Sequence, residues 1–258
     1  MNLPLHEIRL CGPEVLRYRV YGQGPRRLLL VHGLASRSQV WSDLVPLFPG
    51  EIFTLYLLDL LGSGESSKPA AADYSIPAQG ARIVRFVQLL GLSGAAAVGH
   101  SLGGSAVLLA AMQETGLFSS LALIGAPGFI QRLPLIASIL RAPLAAGLFV
   151  HLPFREAWVR RGLLAAYHDP ALANREHLER YLPCYRQRDA KRALVATCRS
   201  IVPRNTEELT RGYASVRTPT LLLWGSGDRI VRVSQGERLA AALPAARLEL
   251  IPRCGHNP

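Results

Sequence analysis

The sequence predicts an α/β fold: a mostly parallel central sheet with helices on both faces, interrupted by an inserted helical lid. Three observations predict it. Apolar strand-like runs alternate with helical patterns, three glycine-marked loops each follow a strand, and the alternation stops between residues 128 and 215. A chain of 258 residues, 49% of them hydrophobic, can bury one substantial core.

Residues 6–10 and 15–21 alternate in polarity and read as two antiparallel strands joined at Gly12-Pro13. Residues 27–31 form an apolar run, as expected of a central strand covered on both faces. It ends in the small-residue loop His32-Gly33-Leu34-Ala35-Ser36. Residues 38–47 read as a helix. Residues 52–60 are a second buried strand, closing in the glycine turn at Gly62 and Gly64 that Asp59 is placed to brace. The spacing of Ile83, Phe86, Val87 and Leu90 makes 77–90 a helix. A small apolar strand, 95–98, enters Gly99-His100-Ser101-Leu102-Gly103-Gly104, and residues 105–111 suit a buried helix. Residues 120–124 are the next strand.

From residue 128 to about 215 the strand rhythm gives way to helical patterns at 133–150, 156–166, 174–182 and 189–202. This segment holds 14 basic and 7 acidic residues and is expected to form a lid over the carboxyl edge of the sheet. Residues 1–127 and 216–258 then make the core. Strands return at 218–224 and 247–251, with a helix at 234–243 between them and the loop Pro252-Arg253-Cys254-Gly255-His256 after them.

The composition narrows the function classes. The net charge is +11, with 27 of 29 basic residues arginine, yet they are dispersed and no nucleic-acid motif accompanies them. Arginines solvating a surface are expected, without a nucleic-acid partner. Cys11, Cys184, Cys198 and Cys254 lack CxxC spacing, which points to free thiols in a reducing cytoplasm and to neither zinc nor disulfides. No cofactor motif is visible. No secretory signal opens the chain, and Arg141 and Pro143 interrupt its longest apolar stretch, so membrane insertion is not expected.

A serine between a buried strand and a buried helix sits on a sharp turn with its hydroxyl exposed at the sheet edge. Side chains at Gly99 or Gly103 would collide with the neighbouring element, and the helix behind Ser101 aims its free N–H groups at the same spot. Serine needs a base to attack a carbonyl. His256 follows the last strand and falls at that edge, whereas His6, His151, His168 and His177 lie on the first strand or the lid. His32 and His100 flank glycine turns, where an imidazole braces the loop. Asp228, just past the 218–224 strand, supplies the orienting carboxylate, and the order Ser101, Asp228, His256 is the one such a sheet imposes on a triad. The backbone N–H groups of Leu34 and Leu102 would hold the oxyanion.

Together, His32-Gly33-Leu34-Ala35, Asp59-x-x-Gly62-x-Gly64-x-Ser66, the stretch 99–104, Trp224-Gly225-x-x-Asp228-x-x-Val231 and Gly255-His256 resemble the α/β-hydrolase family, in particular its lid-bearing esterase-like group. The resemblance implies a serine esterase acting on small hydrophobic esters. A serine nucleophile argues against the epoxide hydrolase and haloalkane dehalogenase branches, which use aspartate there. Hydrolysis of C–C bonds in ring-cleavage products, acyl transfer or perhydrolysis, and non-catalytic ligand reception remain open on the same scaffold. One departure stands out. Relatives carry a helix after the histidine, and only Asn257 and Pro258 follow here, so either the chain is a truncated version or the His256 loop is held by other contacts.

Overall fold

A computed structural model describes residues 3–257 except Arg132, Pro134, Phe154 and Arg204; the side chains of Leu135, Ile136 and Cys184 also lie outside it. The sheet is built from β1 (Leu5–Cys11), β2 (Glu14–Tyr21), β3 (Arg26–Val31), β4 (Phe53–Asp59), β5 (Ala95–His100), β6 (Phe118–Ile124), β7 (Thr220–Gly225) and β8 (Ala246–Ile251). Its order is β1-β2-β4-β3-β5-β6-β7-β8. β2 pairs antiparallel with β1 and β4, and all other pairings are parallel. Parallel strands covered on both faces must be apolar throughout, and Leu29, Leu30 and Val31 of β3 are fully buried.

α1 (Ile76–Leu89) buries the stripe Ile83, Phe86, Val87 and packs along α2 (Leu102–Gln113). α2 is buried from Leu102 to Ala111, consistent with its lack of any polar face. Among the described residues, seven α-helices separate β6 from β7: α3 (Leu135–Arg141), α4 (Pro143–His151), α5 (Glu156–Ala166), α6 (Arg175–Tyr181), α7 (Pro183–Arg186), α8 (Arg188–Ser200) and α9 (Thr206–Gly212). α10 (Val233–Ala242) lies between the last two strands.

The elements depart from the sequence reading at four places. Residues 38–47 form two short 3-10 turns, Ser38–Trp41 and Val45–Leu47, instead of a helix. Pro46 has no N–H for the carbonyl of Ser42, and the Ser38 N–H is taken by the Asp59 carboxylate at 2.6 Å. The helix expected over 133–150, whose Pro134 is outside the described residues, is two helices. Ala142 precedes Pro143 and is forced extended (φ −72°, ψ 127°), which ends α3 and lets Pro143 open α4. α7 and α9 are short helices in stretches where periodicity was too brief to detect. Cys11, Cys198 and Cys254 are free thiols. No helix among the described residues is long and apolar enough to cross a membrane.

One partly buried ion pair pins α1 to the hairpin. Arg82 reaches Glu14 through Nε at 2.8 Å and through Nη2, and chiefly this hydrogen bonding holds the Glu14 carboxyl below its usual range. A carboxylate with a depressed folded pKa contributes stability that is present above its unfolded pKa of about 4.3 and is lost as pH falls through the folded value. Glu14→Gln is therefore expected to lower stability near neutral pH by roughly 1–3 kcal/mol. Its Tm should also fall less steeply than that of the parent protein as pH drops below about 4. Thermal melts across pH check this, and parallel Tm profiles for the two proteins would refute it.

Candidate active site

Ser101 stands between β5 and α2 with φ 52° and ψ −124°, a conformation costly for a residue with a side chain. The surroundings hold it there. Its N–H donates to the Ile124 carbonyl of β6 (2.8 Å) and its carbonyl accepts from Ser105 (3.1 Å). Gly99 and Gly103 permit the tight approach: a Cβ on Gly99 would lie 2.5 Å from Gly104 Cα, and one on Gly103 would lie 2.3 Å from the His32 carbonyl oxygen. The Ser101 hydroxyl does not cap α2.

The loop after β3 is fixed by His32. The Leu60 N–H donates to His32 Nε2 (3.1 Å), so the ring proton sits on Nδ1, which donates to the Gly33 carbonyl (2.8 Å). Complete burial keeps this imidazole neutral by lowering its pKa. Asp59 braces the neighbouring turn, accepting from Ser38 N (2.6 Å) and Glu65 N (2.9 Å). Leu34, in the loop after β3, lines the same cavity as Leu102, the first residue of α2, whose N–H has no acceptor within its own helix.

Asp228 and His256 meet behind this edge. Asp228 Oδ1 accepts from the N–H groups of Ile230 and Val231 (2.8 Å each), and Oδ2 accepts from His256 Nδ1 at 2.7 Å. Both residues are buried. The His256 backbone is held twice more: its N–H donates to the Ala166 carbonyl at the end of α5 (2.6 Å), and its carbonyl accepts from His100 Nε2 (2.9 Å). Burial, reinforced by the neighbouring His256, pushes the His100 imidazole down to about 3. His100 is therefore neutral and must carry its proton on Nε2 to make that bond. Asn257 adds a hydrogen bond to Tyr181 (3.3 Å). α5 and His100 thus hold the His256 loop, while Leu250 on the edge strand β8 stays half exposed.

Leu34, His100, Ser101, Leu102 and His256 line one cavity of about 230 Å³. Its other walls are mostly apolar and come from both the sheet edge and the helical segment, including Phe129, Ile130, Val159, Leu163, Leu209 and Val231. Asp228 sits one hydrogen bond behind the wall, and Gly99 and Gly103 lie beneath it. No cluster of His, Cys, Asp or Glu placed to hold a metal occurs among the described residues.

Two contributors escape sequence reasoning. Gly125 (φ 53°) ends β6 under the Asp228–His256 pair, where a Cβ would lie 3.0 Å from His256 Nδ1 and 3.3 Å from Asp228 Oδ2. A glycine directly after a strand at the carboxyl edge was its only signal. Gln235 accepts from the N–H groups of Gly128 (3.3 Å) and Phe129 (2.9 Å), and Tyr213 donates to the Gly128 carbonyl (2.6 Å). These bonds clamp the root of the helical segment against the cavity, through partners about a hundred residues away that nothing local announces.

The chain belongs to the α/β hydrolase fold family, whose model matches residues 26–258. It is 28% identical over 259 residues to the uncharacterized hydrolase YugF of Bacillus subtilis, covering 98% of this chain and 91% of that one. To lipase 1 of Psychrobacter immobilis it is 27% identical over 270 residues, covering 100% of this chain and 80% of the lipase. A 2-hydroxy-6-oxononadienedioate/2-hydroxy-6-oxononatrienedioate hydrolase of Paraburkholderia xenovorans is 26% identical over 265 residues, with coverages of 95% and 85%. The crystal structure of an α/β hydrolase fold protein from Burkholderia ambifaria has a TM-score of 0.83 at 24% identity, covers 98% of this chain and 93% of its own, and shares the fold.

Proposed function

We propose that the chain is a serine hydrolase that cleaves carboxylic esters with a hydrophobic acyl or alcohol part through an acyl-enzyme. The observation that carries this reading is the buried Asp228–His256 hydrogen bond facing the same apolar cavity as the strained Ser101. His256 Nδ1 is committed to Asp228, so Nε2 is the nitrogen left to take the Ser101 proton as Oγ attacks the ester carbonyl. The negative charge that forms on the carbonyl oxygen falls to the N–H groups of Leu34 and Leu102, each such donor being worth roughly 3 kcal/mol in the transition state. Collapse breaks the C–O bond, and the departing alcohol takes the proton from His256. Water, deprotonated by the same imidazole, then releases the acid and restores Ser101. In this reading residues 128–215 are the lid that keeps bulk water from the acyl-enzyme, and their apolar wall selects hydrophobic substrates.

Cleavage of C–C bonds would use the same triad. The relative named for that reaction acts on a dioate, whose second carboxylate calls for a cationic partner. The described lining of the cavity is mostly apolar, which favours uncharged esters. Labelling with a long-chain p-nitrophenyl phosphonate tests the proposal. One phosphonate adduct on Ser101, formed in step with loss of p-nitrophenyl ester turnover, is the expected result. Turnover that survives complete labelling, or a label mapped elsewhere, would reject it.

A further inference from the structure

Helix α4 presents an apolar ridge that no other part of the described fold covers. Leu144 is 85% exposed and Leu148 60%, and Leu152, also exposed, follows at the same four-residue spacing just past the helix end. That spacing puts all three on one face. The opposite face is already used, with Ala146 and Phe149 buried against Leu140, Leu194 and Cys198. Ile139 of α3 and Trp158 of α5 are also exposed, and the Trp158 ring stacks on Phe149 of α4 at 6.4 Å. A surface helix that is apolar on both faces, extended by neighbouring apolar groups, marks a docking surface.

The charges around the ridge say what docks. From residue 115 to 155 the chain contains no aspartate or glutamate. Arg141 and Arg155, both exposed, flank α4, and Arg188 approaches His151 at its C-terminal end (2.9 Å). Of the acids that follow in sequence, Glu156 is paired with Arg175 at 3.0 Å, and Asp189 accepts from the N–H of Ala190 at 2.7 Å. The complement of an apolar ridge with a cationic rim is a surface that is apolar inside and anionic at its rim. A second copy of the chain would bring the same arginines and a net charge of +11 against it. An indole beside such a ridge suits the boundary between headgroups and acyl chains.

We propose that the α4 ridge docks the protein on anionic lipid surfaces. The ridge and the cavity share α5, since Val159 and Leu163 line the cavity while Trp158 faces out. On the ester-hydrolase reading above, docking would bring esters dissolved in the lipid layer to Ser101.

The test uses the whole chain, co-sedimented with vesicles of phosphatidylcholine alone or mixed equally with phosphatidylglycerol. Strong partition into the mixed vesicles, weakened by salt, is expected. The double variant Leu144→Glu/Leu148→Glu should lose at least about 100-fold in partition, and Arg141→Gln/Arg155→Gln roughly fivefold for each arginine removed. Hydrolysis of a water-soluble p-nitrophenyl ester and the Tm should be unchanged in both variants. Equal binding to neutral and anionic vesicles, or undiminished binding by the leucine variant, would overturn the proposal. So would a dimer, seen by light scattering, that dissociates in that variant without vesicle binding. Vesicle binding by a protein that hydrolyses no ester would leave the docking surface standing and remove only the catalytic reading.

Discussion

Ser101→Ala is expected to lower kcat for a p-nitrophenyl ester by about 10⁶-fold, and Asp228→Asn by about 10⁴-fold, with neither unfolding the protein. The two losses have different origins. Alanine removes the atom that forms the acyl bond in the proposed mechanism. Asparagine keeps the packing and changes which histidine nitrogen is free to act. The Oδ1 position of residue 228 accepts two N–H groups, from Ile230 and Val231 at 2.8 Å each, so the amide oxygen takes that side and its NH₂ turns towards His256 Nδ1. Two donors cannot face each other. The imidazole must then accept at Nδ1 and carry its proton on Nε2, where it can no longer receive one from Ser101. Phosphonate labelling of Ser101 should slow in parallel with hydrolysis. A loss below tenfold for Asp228→Asn in a protein that melts normally would mean that the buried pair is structural.

Much of this site could be read from the sequence because its parts lie at strand ends, where local chemistry marks them. Gly99 and Gly103 announce the tight turn around Ser101, and the same logic places His32, Leu34 and Asp59 in loops at one edge. Parallel strands written as apolar runs give the sheet, and the position of residues 27–31 in it follows. The reading fails where an outcome depends on partners distant in sequence. Whether 38–47 is helical depends on the Asp59 carboxylate claiming the Ser38 N–H as well as on Pro46. How His256 is held depends on the Ala166 carbonyl and the His100 ring, one at the end of α5 and the other beside Ser101. His100 was legible as a brace, though not what it braces. α5 keeps its expected bounds at 156–166 because its amphipathic stripe is long, whereas α7 spans a single turn and leaves no period to detect.

Gly125→Ala is expected to lower kcat by about 100-fold, with a far smaller change in KM, because the added methyl lands on the Asp228–His256 pair, which orients the base in the proposed mechanism. At φ 53° an L side chain is strained whatever the space around it, at a cost of roughly 1–2 kcal/mol. The methyl would also sit 3.0 Å from His256 Nδ1 and 3.1 Å from Cε1, closer than ordinary van der Waals contact. His256 cannot simply retreat. Its backbone is tied to Ala166 and His100 and its ring to Asp228, so relief must come by tilting the imidazole or lengthening the 2.7 Å bond. A displacement approaching 1 Å at a catalytic group is enough for a loss of about 10²-fold. Gly91→Ala separates strain from displacement. Its φ is 61° and no atom lies within 4 Å of the new Cβ, so it should share the fall in Tm, roughly 2–4 °C per kcal/mol for a chain of this size, and keep full turnover. If both variants lose stability alike and both keep their activity, the Asp228–His256 geometry does not limit the rate, and the role assigned to that pair fails with it.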